Sequence, residues 1–315
     1  MKKTLKYIRL GLAFIGVALF AIFAFYWRTD MPIEVLKEKY APAPSQFAEV
    51  QGMQVHFRDE AEVPDSLPIV LLHGTGASLH TWDGWAKILK QKRRVIRMDL
   101  PAYGLTGANP SGDYSNQSYV SFLHAFLEKI GVEKCVLIGN SLGGSIAWHF
   151  AAAYPNRIKK LVLIDAAGFP TQNTQQPLAF RLAKIPIANE LIKYITPRFV
   201  IEKSILNVYG DKSKVSEELI DRYFELSLRE GNRQAFIDRM KIRFDVADTL
   251  KIKALKMPTL ILWGEEDKLI PVENAFKFKR LLPYNNLLIF KGIGHVPMEE
   301  NPEFTAISLQ AFLSN

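Results

Sequence analysis

Cys135-Val-Leu-Ile-Gly-Asn-Ser-Leu-Gly-Gly-Ser-Ile-Ala-Trp148 is the stretch on which the reading turns. Its first four residues form a short apolar run, as expected for a strand covered on both faces. Gly139-Asn-Ser-Leu-Gly143 follows and fits G-x-S-x-G, and a helical segment from Ile146 to Ala153 comes next, ended by Pro155. Strand, sharp turn and helix in that order push a serine side chain out at the edge of a sheet, and the flanking glycines leave room for neighbouring chain. The helix N-terminus adds unpaired N–H groups where negative charge would develop. Ser141 is therefore the candidate nucleophile.

Outward from this point the chain repeats the pattern. Apolar runs at 68–72, 95–98, 161–164, 259–262 and 287–290 read as further buried strands, and Val50-Gln-Gly-Met53 reads as a turn between two short ones. Residues 116–130 place Tyr119, Phe122, Leu123, Phe126, Leu127 and Ile130 at helical spacing, and Gly131 ends that helix. Such alternation predicts an α/β fold with a mainly parallel sheet and helices on both faces. It fails between about 170 and 250, where helical patterns and prolines at 170, 177, 186 and 197 stand without a strand. That stretch is too long for a plain loop and predicts an inserted helical cap over the carboxyl edge of the sheet.

A serine hydroxyl needs a base. Of six histidines, His295 follows the last expected strand within Gly292-Ile-Gly-His-Val-Pro-Met-Glu299, in a loop at the edge where ligands of such sheets bind. His124 and His149 fall inside helices, and His73 is expected to brace its own loop. The base needs an acid to hold its tautomer. Asp267, in Trp263-Gly-Glu-Glu-Asp-Lys268, is the first choice, and Asp165, after the strand at 161–164, is the runner-up. His73-Gly-Thr-Gly76 follows another strand and is placed to give one oxyanion N–H, from Thr75 or Gly76; the N–H of Leu142 would give the other.

The N-terminus has a different character. Leu10 to Trp27 contains no charged residue and no proline, and its 18 positions would rise about 27 Å as a helix, close to the hydrocarbon core of a bilayer. Basic residues precede it and Tyr26 and Trp27 close it, which predicts an anchor over residues 1–28 with its N-terminus cytoplasmic and the catalytic domain on the non-cytoplasmic side. The rival is a signal peptide whose cleavage would release a secreted enzyme, although Ala24-Phe-Tyr-Trp27 lacks small residues at cleavage spacing. Residues 29–46, with Pro32, Pro42 and Pro44, read as an extended tether, leaving 47–315 for the folded domain.

Composition narrows the function classes. With 48% hydrophobic and 23% charged residues in 315, the chain is an ordinary globular protein. Five of its eight net positive charges are Lys2, Lys3, Lys6, Arg9 and Arg28, in a stretch with no acid, so the basic balance describes the N-terminus. No basic stripe with interleaved aromatics points to nucleic acid. Cys135 is the single cysteine and reads as a small core residue.

Taken as a set, Leu71-Leu-His-Gly74, Asp99-Leu-Pro101 with Gly104, Gly139-Asn-Ser-Leu-Gly-Gly144, Asp165-Ala-Ala-Gly168, Trp263-Gly-Glu-Glu-Asp267 and Gly294-His-Val-Pro-Met298 resemble the α/β-hydrolase superfamily from about residue 47 to 315, most closely its bacterial membrane-associated serine esterases and lipases. The resemblance implies the order Ser141, Asp267, His295. It also implies an acyl-serine intermediate, no cofactor or metal, and a small-molecule or lipid ester as substrate. A carbon–carbon bond hydrolase or thioesterase would use the same triad, and a non-catalytic binding module would keep only the fold. Relatives with aspartate at the nucleophile position, dehalogenases and epoxide hydrolases, are disfavoured by Ser141. One departure stands out: where the family often has glycine after the proline of Asp-Leu-Pro, this chain has Ala102.

Overall fold

A computed structural model describes residues 2–170, 176–242 and 249–314. Eight strands form one sheet: β1 (Ser45–Val50), β2 (Met53–Glu60), β3 (Ile69–Leu72), β4 (Val95–Met98), β5 (Cys135–Asn140), β6 (Ile158–Ile164), β7 (Thr259–Gly264) and β8 (Asn285–Phe290). Their order is β1-β2-β4-β3-β5-β6-β7-β8. Only β2 runs against the others: it pairs antiparallel with β1 and β4, and every other pairing is parallel.

The apolar runs follow from the side-chain period of two on a sheet covered on both faces. Val70, Leu72, Ile96, Met98, Leu137 and Leu161 point into one core, which they share with helices α4 (Asn116–Lys129) and α5 (Leu142–Ala153). Ile69, Leu71, Val95, Val136, Ile138 and Val162 point into the other, closed by α3 (Asp83–Leu89) and α14 (Pro302–Ser314). Ser115 caps α4 by accepting from the Ser118 N–H at 3.2 Å, and Gly131 takes a positive φ just past its end, where a side chain would be strained.

Between β6 and β7 lie the helices α6 (Leu178–Ala183), α7 (Ala188–Ile192), α8 (Arg198–Val208), α9 (Glu217–Ser227), α10 (Asn232–Lys241) and α11 (Thr249–Ile252). The two margins of the expected cap, residues 171–175 and 243–248, lie outside the described residues. Towards the C-terminus come α12 (Glu273–Leu281) and the short α13 (Pro297–Glu300).

The N-terminal segment forms one helix, α1 (Lys2–Tyr26), and its Thr4–Tyr26 part is long and apolar enough to cross a membrane. The following stretch departs from the extended tether expected over 29–46. It contains α2 (Ile33–Tyr40), docked on the body, and β1 begins within it at Ser45. Leu36 and Tyr40 are buried with Leu105 and Leu226, the Tyr40 hydroxyl donates to Glu225 at 2.7 Å, and the Tyr40 carbonyl meets His80 Nε2 at 2.9 Å. A proline ahead of the first turn does not block a helix, because the N–H it removes has no partner there. Ile33, Leu36 and Tyr40 supply the apolar face.

Candidate active site

Ser141 sits between β5 and α5 with φ 55 and ψ −115, a region that costs a side-chain-bearing residue energy. The surroundings hold it there. Its N–H donates to the Ile164 carbonyl and its own carbonyl accepts from Ala167, both at 3.0 Å. The glycines around it are required by contact: a Cβ on Gly139 would run into the Gly143 carbonyl, and one on Gly143 into the Leu72 carbonyl. The backbone thus presses the Ser141 turn against the end of β3.

His295 lies in the loop after β8, almost completely buried. Its Nδ1 meets Asp267 Oδ2 at 2.6 Å, and Oδ1 of Asp267 accepts from the N–H groups of Leu269 (2.8 Å) and Ile270 (2.9 Å). Nε2 of His295 is buried and makes no hydrogen bond among the described residues. Both Ser141 and His295 line one cavity, which Thr75, Gly76 and Tyr103 also line. Its other walls come from α6 to α10 and are mainly apolar, with Phe180, Leu182, Ile192, Val200, Ile201 and Phe236 among them.

The structure separates the two acids considered from sequence. Asp267 contacts His295; Asp165 does not, although its carboxyl lies within 4.8 Å of both. Asp165 is fully buried, accepts from the Gly264 N–H at 2.9 Å and has a positive φ of 46. Burial first, and then the charge of Asp267, pushes its pKa well above the usual carboxylate range. Nδ1 and both oxygens of Asp267 are already engaged, so the cluster is a hydrogen-bonded chain rather than an open set of metal ligands.

The loop at 73–76 runs beside Ser141: a Cβ on Gly74 would stand 2.9 Å from Asn140 Oδ1 and 3.1 Å from Ser141 Cβ. His73 is fully buried and braces this loop. Its Nε2 accepts from the Leu100 N–H at 2.9 Å, so Nδ1 carries the proton and donates to the Gly74 carbonyl at 2.8 Å. Burial lowers its pKa, consistent with this neutral tautomer. Leu142 opens α5, so its N–H belongs to the first turn, which has no intrahelical acceptor.

Two positioning residues escaped the sequence reading. Glu300, buried, accepts from the N–H groups of Gly294 (2.9 Å), Gly210 (3.0 Å) and Asp211 (2.8 Å), tying the His295 loop to the end of α8. Asn140 donates to the carbonyls of His295 (2.9 Å) and Ile164 (3.2 Å), tying that loop to the end of β5. Neither had a distinct signal in the sequence: Glu300 follows a second acid, Glu299, in the short α13, and Asn140 is the free second position of the pentapeptide.

Comparison with known proteins agrees with this architecture. Residues 68–189 match the family model for the alpha/beta hydrolase fold. A 2-hydroxy-6-oxo-2,4-heptadienoate hydrolase of Pseudomonas putida is 29% identical over 75% of this chain and 86% of its own length. Lipase 1 of Psychrobacter immobilis is 29% identical over 78% of this chain and 77% of its own. Among solved structures, a bacterial membrane phospholipase A superposes over 100% of this chain and 98% of its own, with TM-score 0.74 and 25% identity.

Proposed function

On the premise that this chain is an α/β hydrolase, we propose that it is a serine carboxylic-ester hydrolase acting on lipid-like esters, held at a membrane by α1 with its catalytic domain on the non-cytoplasmic side. The observation that carries the reading is the shared cavity. A strained serine and a histidine whose second nitrogen is unpaired open into one space, and that space is walled mostly by hydrocarbon.

In this reading His295 Nε2 takes the proton of Ser141 as its oxygen attacks the ester carbonyl. Asp267 holds the tautomer and stabilises the imidazolium. The N–H of Thr75 or Gly76, together with that of Leu142, holds the oxyanion, each donor contributing about 2.7–4 kcal/mol to the transition state. His295 then protonates the leaving alcohol, and water repeats the sequence on the acyl-serine. The apolar walls accommodate the acyl chain.

The test is hydrolysis of p-nitrophenyl esters from acetate to palmitate by the full chain in detergent, beside Ser141→Ala. We expect turnover that favours the longer chains and vanishes in the variant. The carbon–carbon bond hydrolase reading is kept alive by the Pseudomonas putida relative. Labelling of Ser141 by a fluorophosphonate with no ester cleaved would leave the triad in place and favour that reading over ours. Absence of both would point to a binding module.

A further inference from the structure

The helices that wall the cavity have an outer side as well. Ile187, Leu191 and Tyr194 follow one another at i, i+4 and i+7 along α7 and its flanks, and all three are exposed, as are Ile185 and Phe199 nearby. A contiguous apolar patch of this kind marks an interaction surface in a folded protein. Ile187 is the extreme case: it is 78% exposed and adopts φ 75 and ψ −54. A β-branched residue pays about 1–3 kcal/mol for such backbone, and glycine or asparagine would suit a water-facing turn better. Folding gives no reason for isoleucine at this tip.

The patch runs into the end of α1. Trp27 stacks on Tyr194 at 5.3 Å between centroids and 13° between planes, Tyr26 meets Phe199 edge-on at 5.9 Å, and the Arg28 N–H donates to the Tyr194 carbonyl at 2.9 Å. These contacts fix the exposed face beside the point where an apolar helix of mean hydropathy 2.3 leaves the domain. Basic residues lie along the same segment: Arg28 follows Trp27, Lys203 lies over the Phe199 ring at 5.5 Å, and Arg181, Lys184 and Lys193 flank the exposed apolar positions in sequence, against Glu190, paired with Lys193 at 2.7 Å, and Glu202. On the inner side, the same helices line the Ser141 cavity through Leu182, Ile192, Val200 and Ile201.

We propose that the outer face of α6 to α8, centred on Ile187, Leu191 and Tyr194, docks into the bilayer leaflet that α1 leaves, so that an acyl substrate passes from lipid to the cavity without crossing water. The basic rim matches anionic headgroups, and the apolar face matches the acyl boundary below them. This inference rests on the readings of α1 as an anchor and of lipid esters as substrates.

The single native cysteine makes depth measurable. Cys135 is buried, and burial pushes its thiol up to about 12, so a cysteine introduced elsewhere takes a label selectively. Full-length Ile187→Cys carrying an environment-sensitive fluorophore is compared with Glu133→Cys, whose site lies at the opposite edge of the sheet, just before β5. Both are reconstituted in phosphatidylcholine–phosphatidylglycerol vesicles. Doxyl-labelled lipid is expected to quench the label at 187 about threefold more strongly than the one at 133, from a depth of about 5–10 Å. Ile187→Glu is expected to lower turnover of a long-chain ester embedded in the vesicles about tenfold while leaving a water-soluble short-chain ester within about twofold.

A label at 187 that iodide quenches and doxyl lipid does not would place the face in water and overturn the proposal. A blue-shifted label that lipid leaves unquenched would assign the face to a second copy of the chain, with the same consequence. Failure of the chain to float with vesicles would remove the anchor reading and this inference with it. Failure of the wild type to cleave either ester would remove the esterase reading and, with it, the acyl route of this proposal, while the depth result would still decide whether the face docks in lipid.

Discussion

Two buried aspartate–histidine pairs lie among the described residues, one at each side of β5. Asp99, after β4, meets His56 Nδ1 at 2.7 Å, and Asp267, after β7, meets His295 Nδ1 at 2.6 Å. Length and burial do not tell them apart. Their surroundings do. His56 Nε2 is taken up by Ser45 Oγ at 2.9 Å, and Asp99 also accepts from the N–H groups of Leu79 (2.7 Å) and Leu105 (2.8 Å), so every polar atom of the pair is used in joining strands and loops. His295 leaves Nε2 unpaired beside a cavity that holds a serine. An aspartate–histidine pair is equipped for chemistry by the nitrogen it leaves over, and equipped for stability by leaving none.

The sharpest way to break this contrast is to disable each pair in turn. His295→Ala and Asp267→Asn should each lower kcat per folded molecule by about 10⁴-fold or more, measured by ester turnover with circular dichroism on the same samples to give the folded fraction. Asp99→Ala should do the reverse. Losing one partner of a buried, fully engaged pair costs about 3–5 kcal/mol of stability in denaturant titration, and the folded fraction should keep its catalytic competence. If Asp99→Ala abolished turnover with stability intact, the division of roles would be wrong.

Acid sharpens the same comparison. Burial lowers the pKa of His80, next to the Asp99 pair, to about 4 from 6.5, so below pH 6.5 the unfolded chain takes up a proton that the folded chain refuses. Stability should fall by about 1.4 kcal/mol per pH unit from this group between about pH 6.5 and 4. Burial works to raise the Asp99 pKa, but the charge and hydrogen bond of His56 outweigh it and hold the carboxyl well below its usual range. Its stabilisation is therefore complete above about pH 4 and is lost as pH falls further. Denaturant titrations at pH 7, 5.5 and 4.5 should show the first loss, and His80→Gln should flatten it.

The smallest effect is expected at Ala102, in the loop after β4. It adopts φ 85 and donates to the Gly107 carbonyl at 2.7 Å, so the glycine-type backbone of that loop persists with an alanine in it. Ala102→Gly should raise stability by about 0.5–1 kcal/mol, read as a small upward shift in melting temperature, because relief of left-handed strain outweighs the added chain entropy. No change would mean that methyl packing along the cavity offsets the strain.

Much of the candidate site's geometry was legible because its rules are local. The turn at Ser141 could be read from a pentapeptide between an apolar run and a helix, since the strain and the glycines arise within a dozen residues. The strands could be found because a sheet covered on both faces asks for continuous apolar runs. Ser141, Asp267 and His295 were proposed from their places after strands, and their order in the chain is the one the family resemblance implies. The helix at Ile33–Tyr40 was missed because its prolines were weighed above its apolar spacing, and its stability comes from Leu105 and Leu226, far along the chain.

What the sequence determined alone was the sheet, the turn that carries Ser141 and the short set of residues from which a base and an acid can be proposed, because backbone preference and side-chain period are properties of short segments. Only the tertiary structure decided that Asp267 rather than Asp165 meets His295, that Glu300 and Asn140 hold the histidine loop, and that His56 is sealed while His295 is open. Each of those outcomes is a contact between segments brought together by the order of strands in the sheet, and a hydrogen bond at 2.6 Å is set by where two loops end in space.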